Sequence, residues 1–270
     1  KIFIKILIIW NFMKIITWNV NSIRLRSHLI YKILELENPE ILCLQECKSP
    51  TENMTFDIFE PLGYKYSACW GQKSYNGVAF ISKIPLDKIE KKDFLKCEEA
   101  RHISTVARGL TIHNFYFPAG GDIPDSNLNK KFHFKLEYIK EVEKYFNKKK
   151  PSRSILVGDL NIAPEIDDVW DHKKLLNVVS HTPIEVNQLK NLQKTGDWVD
   201  VFRKHNPKGK YFSWWSYRSK DWKLSNRGRR LDHIWVSADI SNSTNCYILR
   251  SVRDWDKTSD HAPVVAELKI

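Results

Sequence analysis

What most constrains this chain is a recurrence along its whole length: short apolar runs that stop at a carboxylate, an amide or a histidine. Ile15–Val20 carries Asn19 near its end, Ile41–Leu44 runs into Gln45 and Glu46, and Ser154–Val157 leads through Gly158 to Asp159-Leu160-Asn161. Gly77–Ser82, Ile103–Phe117, Leu231–Ser237, Cys246–Leu249 and Pro263–Leu268 have the same β-branched and aromatic character. Runs of this kind are buried strands. Between them the spacing turns helical: Leu29, Ile30, Ile33, Leu34 and Leu36 within Arg26–Glu37, then Phe132, Leu136, Ile139, Val142 and Phe146. Pro183–Lys194 and Trp198–Lys204 also read as helices. With no internal repeat and no Gly/Ser-rich linker, the pattern predicts an α/β fold of sheets packed face to face under helices. Residues 13–270 are expected to form one domain. Lys1–Phe12 is apolar and basic but split by Lys5, with no small-residue cleavage site after it, and reads as an extension ahead of Met13.

Composition excludes several classes. A chain of 270 residues, 42% hydrophobic and 28% charged, is neither disordered nor fibrous, and no run reaches the roughly 18 apolar residues of a membrane span. The five cysteines, Cys43, Cys47, Cys69, Cys97 and Cys246, form an odd set with no C-x-x-C pair. They read as reduced thiols in a cytoplasmic protein rather than as zinc ligands.

The net charge is +11, and most of it sits in Val201–Arg230, where ten Lys and Arg face Asp221 alone. Phe202, Tyr211, Phe212, Trp214, Trp215, Tyr217 and Trp222 interleave with those cations. Cations neutralise phosphates and aromatic rings wedge or stack on bases, so the stretch suits a nucleic-acid surface, although some of the rings must be core.

Strand ends are where a rigid scaffold presents chemistry to solvent. In an extended segment Asp159 and Asn161 point the same way, as a phosphate-handling pair or as a side-chain-stabilised turn. Asn19 and Asn21 repeat that spacing. Tyr116 closes the strand before Pro118, and Glu46 leaves a buried strand where a lone carboxylate is costly. His261 follows Asp260 too closely to be served by it, so Asp232, at the mouth of Leu231–Ser237, is the carboxylate expected to orient the imidazole. Together these groups have the parts for metal-assisted phosphodiester hydrolysis: hard oxygens for Mg²⁺, a group that activates water, and donors for a developing phosphorane.

In order and context the motifs resemble the endonuclease/exonuclease/phosphatase superfamily and, within it, the apurinic/apyrimidinic endonucleases of the exonuclease III type. The matching pieces include Thr17-Trp18-Asn19-Val20-Asn21-Ser22-Ile23-Arg24, Leu44-Gln45-Glu46-Cys47-Lys48 and Tyr75-Asn76-Gly77-Val78-Ala79. Further along come Asn114-Phe115-Tyr116-Phe117-Pro118, Gly158-Asp159-Leu160-Asn161-Ile162-Ala163-Pro164 and Phe212-Ser213-Trp214-Trp215-Ser216-Tyr217-Arg218. Gly228-Arg229-Arg230-Leu231-Asp232 and Ser259-Asp260-His261-Ala262-Pro263 complete the set. The resemblance implies a four-layer α/β/β/α sandwich, two mixed sheets face to face with helices outside and the site at one edge. It implies Glu46 as principal Mg²⁺ ligand (Mn²⁺ the substitute), with Asn19, Asp159, Asn161, Asp260 and His261 in the metal set. Asp159 would align or deprotonate the attacking water, and Asn161 would hold the scissile phosphate. His261, paired with Asp232, would bind a phosphate oxygen or serve as base, and Tyr116 would contact the phosphate or help the leaving oxygen. Arg24, Trp214, Arg218, Arg229, Arg230 and Leu231 would meet the DNA. Ala119 and Asp122 depart from what many relatives carry after Tyr116-Phe117-Pro118, leaving the endonuclease-to-exonuclease balance open.

The implied activity is cleavage 5′ to abasic sites and digestion of duplex DNA from 3′ ends, by a monomer with no membrane partner. An inositol-phosphate phosphatase on the same fold would not need the broad basic stretch. A DNA-binding protein on an inactive scaffold would not keep Glu46, Asp159, Asn161, Asp232 and His261.

Overall fold

The computed structural model describes residues 12–219 and 221–270. Its frame is two six-stranded sheets. In the first, β1 (Phe12–Asn19) and β2 (Ile41–Gln45) lie parallel at the centre, with β3 (Tyr66–Trp70) and β4 (Val78–Ser82) on one side. In the second, β5 (Asp87–Lys91), β6 (His102–Ala107) and β7 (Leu110–Tyr116) lead to β8 (Ser154–Asp159), which runs parallel to β7. β9 (Trp198–Asp200) and β12 (Asp232–Ser237) complete that sheet beyond β8. A small ribbon pairs β10 (Trp214–Trp215) with β11 (Gly228–Arg229). β13 (Ser243–Ile248) and β14 (Val264–Lys269) close the free side of the first sheet against β1.

The helices are α1 (Ile23–Glu37), α2 (Lys130–Lys148), α3 (His172–Leu175), α4 (Pro183–Thr195), α5 (Val201–His205) and α6 (Trp222–Ser225). α1 carries the chain from β1 to its parallel neighbour β2, and α2 does the same from β7 to β8, as a parallel pairing requires. None of the described helices is long and apolar enough to cross a membrane.

Strand alternation builds three apolar layers. Met13, Ile15, Ile41, Cys43, Ile112, Ile155, Val157 and Ile234 meet between the sheets. Their neighbours Ile16, Trp18, Leu42 and Leu44 face α1 through Ile30, Ile33 and Leu34. Phe115, Leu156 and Trp235 face α2 and α4 through Ile139, Val142, Phe146, Leu189 and Leu192. The result is the expected four-layer α/β/β/α sandwich. Each buried aliphatic or aromatic side chain contributes roughly 1.5–3 kcal/mol.

Several boundaries differ from expectation. Phe12, assigned to the extension, starts β1 opposite Lys269, while the rest of that extension lies outside the described residues. Trp198–Lys204 is not one helix: Trp198–Asp200 pairs with β12, and only then does α5 begin, capped by the Asp200 side chain, which accepts from the Arg203 N–H. α1 starts at Ile23 rather than Arg26, because Ser22 and Ile23 donate their N–H groups to the carbonyls of Glu46 and Cys47 (2.7 and 3.0 Å). No local pattern encodes that tertiary cap. All five cysteines are free, with Cys43, Cys47 and Cys246 buried and Cys97 exposed.

Candidate active site

Both sheets deliver their polar residues to the same end. β1 ends at Asn19, β2 runs out at Gln45 just before Glu46, and β7 and β8 end side by side at Tyr116 and Asp159. Asp232 opens the antiparallel β12 directly opposite Asp159. Gly158 makes this approach possible: at φ +140°, an added Cβ would lie 1.9 Å from the Phe115 carbonyl oxygen. The segment carrying His261 is tied to β1, with Trp18 Nε1 donating to the His261 carbonyl (3.0 Å) and Ser259 Oγ to the Asn19 carbonyl (2.6 Å).

The side chains form one connected set. His261 Nδ1 lies 2.8 Å from Asp232 Oδ2, and its Nε2 lies 3.7 Å from Asp159 Oδ2. The ligand atoms of Asp159, Asp232 and His261 lie within 4.8 Å of one another. Asn161 donates its backbone N–H to Asp159 Oδ1 (2.9 Å) and its amide nitrogen to Asp159 Oδ2 (3.2 Å) and the Phe117 carbonyl (2.9 Å). The amide nitrogen of Asn19 bridges the two sheets, donating to Glu46 Oε1 and Asp159 Oδ2, both at 2.9 Å. Tyr116 O–H also donates to Glu46 Oε1 (2.8 Å), while Lys48 Nζ sits 2.8 Å from Glu46 Oε2.

Charge is out of balance here. Burial, and then the neighbouring Asp232 carboxylate, push Asp159 up to about 7, against the pull of His261. Burial alone would depress His261, but the carboxylates of Asp232 and Asp159 raise it to about 10, so at neutral pH it is an imidazolium between two acids. Glu46 is also desolvated, yet the Lys48 ammonium and the Asn19 hydrogen bond hold it below the usual carboxylate range. Burial and Glu46 keep Tyr116 protonated, with its phenol well above its ordinary value.

The donor set is carboxylate and amide oxygen with imidazole and no thiolate, which suits a hard divalent cation. A buried Asp232 Oδ1 with no hydrogen-bond partner adds to that fit.

The chain matches the Endonuclease/Exonuclease/phosphatase family over residues 16–261. It belongs to that family. An exodeoxyribonuclease III of Haemophilus influenzae is 34% identical over 274 residues, spanning 95% of this chain and 100% of the relative. The structure of an AP endonuclease from Archaeoglobus fulgidus superposes with a TM-score of 0.89 at 31% identity, over 96% of this chain and 100% of that one. The 3′ phosphatase NExo from Neisseria, bound to a product DNA hairpin, gives a TM-score of 0.89 at 28% identity over the same shares, 96% and 100%.

Within this family member, the expected site residues fall into place unevenly. Glu46, Tyr116, Asp159, Asn161, Asp232 and His261 converge. Asn19 is there too, with Oδ1 accepting the Asn21 N–H (3.1 Å) and its nitrogen holding the Glu46 and Asp159 carboxylates together. Asp260 joins the set through Asn21, whose Nδ2 donates to it (3.1 Å) and whose Oδ1 accepts from Lys48, and it also accepts from Trp214 Nε1 (2.9 Å).

On the expected DNA face, Arg24 and Arg218 are exposed. The Arg229 guanidinium lies 5.3 Å from the Trp214 ring centroid, while its Nη1 donates to the Val179 carbonyl and Ser180 Oγ. Leu231 is buried in an apolar cluster with Val169 and Leu175, touched by Trp214. Arg230 cannot meet DNA. It is fully buried, with Nε and Nη2 on the two Asp168 oxygens (2.6 and 2.8 Å) and Nη2 also 2.9 Å from Asp200 Oδ2.

Two contributors escaped sequence reasoning. Arg101 lies over the Tyr116 ring (5.1 Å) and, with Lys130, Lys131 and Tyr75, walls a cleft beside it. Lys135 is the other. Its signal was present, since it falls on the same helical stripe as Phe132, Leu136 and Ile139, where a lysine does not belong.

Proposed function

We propose that this chain is a Mg²⁺-dependent DNA repair nuclease. Residues 13–270 act as one nuclease domain that hydrolyses the phosphodiester 5′ to an abasic site. The same site degrades duplex DNA from 3′ ends and removes 3′ phosphates and other blocking groups. The observation that carries this reading is His261 held by Asp232 at 2.8 Å, with its other ring nitrogen, Nε2, 3.7 Å from Asp159, at the shared end of both sheets. Relatives described as exodeoxyribonuclease III and AP endonuclease support it, as does a neighbour bound to a DNA hairpin.

The residues divide the work by charge. Asp159, a carboxylate whose affinity for protons is raised by burial, aligns the attacking water and takes its proton. His261 offers Nε2–H to a non-bridging phosphate oxygen, and its positive charge is preorganised by Asp232 before negative charge develops. Asn161 has committed both amide hydrogens to Asp159 and the Phe117 carbonyl, so contact with the phosphate exchanges one of these bonds. Tyr116 keeps its proton and can turn it from Glu46 toward a phosphate or leaving oxygen. Glu46 is the carboxylate that would hold Mg²⁺, or Mn²⁺ in its place, and the ion would supply charge neutralisation at the phosphoryl group. The exposed Arg24 and Arg218, the Arg229–Trp214 stack and the cleft beside Tyr116 form the face for double-stranded DNA. We assign the protein to the cytoplasm, on the nucleoid when bound to DNA, and expect it to act as a monomer.

The test is a substrate comparison in Mg²⁺: duplex DNA with an abasic site against inositol phosphates. Hydrolysis of DNA alone is expected, and turnover of inositol phosphates with DNA left intact would overturn the assignment.

A further inference from the structure

Lys135 projects from α2 with no solvent exposure, and the chemistry above does not use it. A buried ammonium is costly unless every hydrogen finds an acceptor. Here all three do: Glu185 Oε1 at 2.5 Å, the Asn161 carbonyl at 2.8 Å and the Ala119 carbonyl at 3.3 Å. The acceptors come from three separate pieces of chain: the first turn of α4, the turn after β8, and the segment after β7. The path of the side chain is itself built for this. At Gly120, with φ +91°, an added Cβ would lie 2.9 Å from Lys135 Cδ and 3.0 Å from Val179 Cγ1.

Asn161 sits in a left-handed turn, with φ +53°, a conformation that asparagine adopts more readily than other residues with a Cβ. Its N–H and amide nitrogen are spent on Asp159 and Phe117, so the carbonyl is the handle by which the rest of the protein can fix it.

Beyond Lys135 the tie continues. Glu185 accepts from Ser180 N–H (2.9 Å to Oε2) and from Thr182 Oγ1 (2.6 Å). Ser180 Oγ accepts from Arg229 Nη1 (2.7 Å), and the Ser180 carbonyl accepts from the Ala163 N–H (2.8 Å).

We infer that Lys135 and Glu185 are positioning residues: a buried ionic strut that fixes the Asn161–Asp159 pair. The inference rests on the proposed function for its effect on rate, but not for its effect on Asn161 itself.

The test therefore reads both. Lys135→Met alone strands a buried carboxylate and risks the fold, so the informative variant is Lys135→Met with Glu185→Met, which removes both charges and restores neutrality. In the folded double variant, single-turnover cleavage of an abasic duplex should fall by about 10- to 100-fold, the scale on which misplacement of a reacting group acts. The Kd for the same duplex in chelator should change less than about threefold. Hydrogen exchange of the Asn161 backbone amide should speed up and its side-chain NH₂ resonances should shift. Wild-type rate in the folded double variant, or unchanged Asn161 exchange, overturns the inference. Altered Asn161 exchange in a protein whose wild type does not cut abasic DNA would instead sustain the strut and reject the proposed function.

Discussion

Two clusters of buried charge hang from the start of β12, two residues apart. Arg230, just before the strand, is clasped by Asp168 and Asp200, with Arg203 also on Asp168. Although burial opposes ionisation, the Arg230 guanidinium holds both carboxylates below the usual range, and they in turn raise Arg230. Asp232, two residues on, belongs to the other cluster, where two carboxylates share one imidazole, Asp159 is pushed up to about 7, and Asp232 Oδ1 has no partner. The first cluster is balanced and joins elements together. The second carries surplus negative charge on a rigid frame, the condition in which a cation, a phosphate and a proton find something to do. Burial of charge does not by itself mark a site; incomplete compensation does.

The sharpest way to break that contrast is to edit each cluster and read both rate and stability. Asp159→Asn or His261→Asn should lower single-turnover cleavage of an abasic duplex by about 10³- to 10⁴-fold. Thermal melting of Asp159→Asn should show no loss of midpoint, because a poorly compensated carboxylate has gone. Arg230→Met should do the reverse. Taking the shared guanidinium away from Asp200 and Asp168, with Arg203 left on Asp168 alone, costs about 3–5 kcal/mol in urea denaturation, while the rate per folded molecule stays within about threefold of wild type.

Acid should sharpen the comparison further. Asp168 and Asp200 are depressed in the folded protein, so their stabilisation is complete above the unfolded value near 3.9 and is lost as pH falls below it toward their folded values. Urea midpoints should drop steeply below about pH 4, and less so when both aspartates are replaced by asparagine. The smallest effect belongs to the rim. Arg218→Ala should reduce the slope of log K against log salt by about 0.9 for one lost phosphate contact, with little change in cleavage at saturating DNA.

The same contrast explains what could be read from sequence. Strand ends were legible because an apolar run broken by Glu46, Asp159 or His261 is a local signal, and the alternation of runs and helical stripes carries the layers. Arg230 was misplaced because it sits in a basic, aromatic stretch, and only Asp168 and Asp200, distant in sequence, reveal that it is core. The orientation of the Asn19 amide and the early start of α1 depend on Asn21, Glu46 and Cys47 closing around them, contacts with no sequence periodicity. Lys135 was visible as an anomaly in an apolar stripe, but its partners lie on three other segments.

The most direct trial of the account is a 5′-labelled duplex with a single abasic site, incubated with the wild-type protein in Mg²⁺ or in chelator and resolved on a sequencing gel. One product ending in a 3′-hydroxyl 5′ to the lesion, present only with the metal, is the predicted result. Cleavage undiminished by chelator, or a product bearing the unsaturated 3′ end of β-elimination, would contradict it.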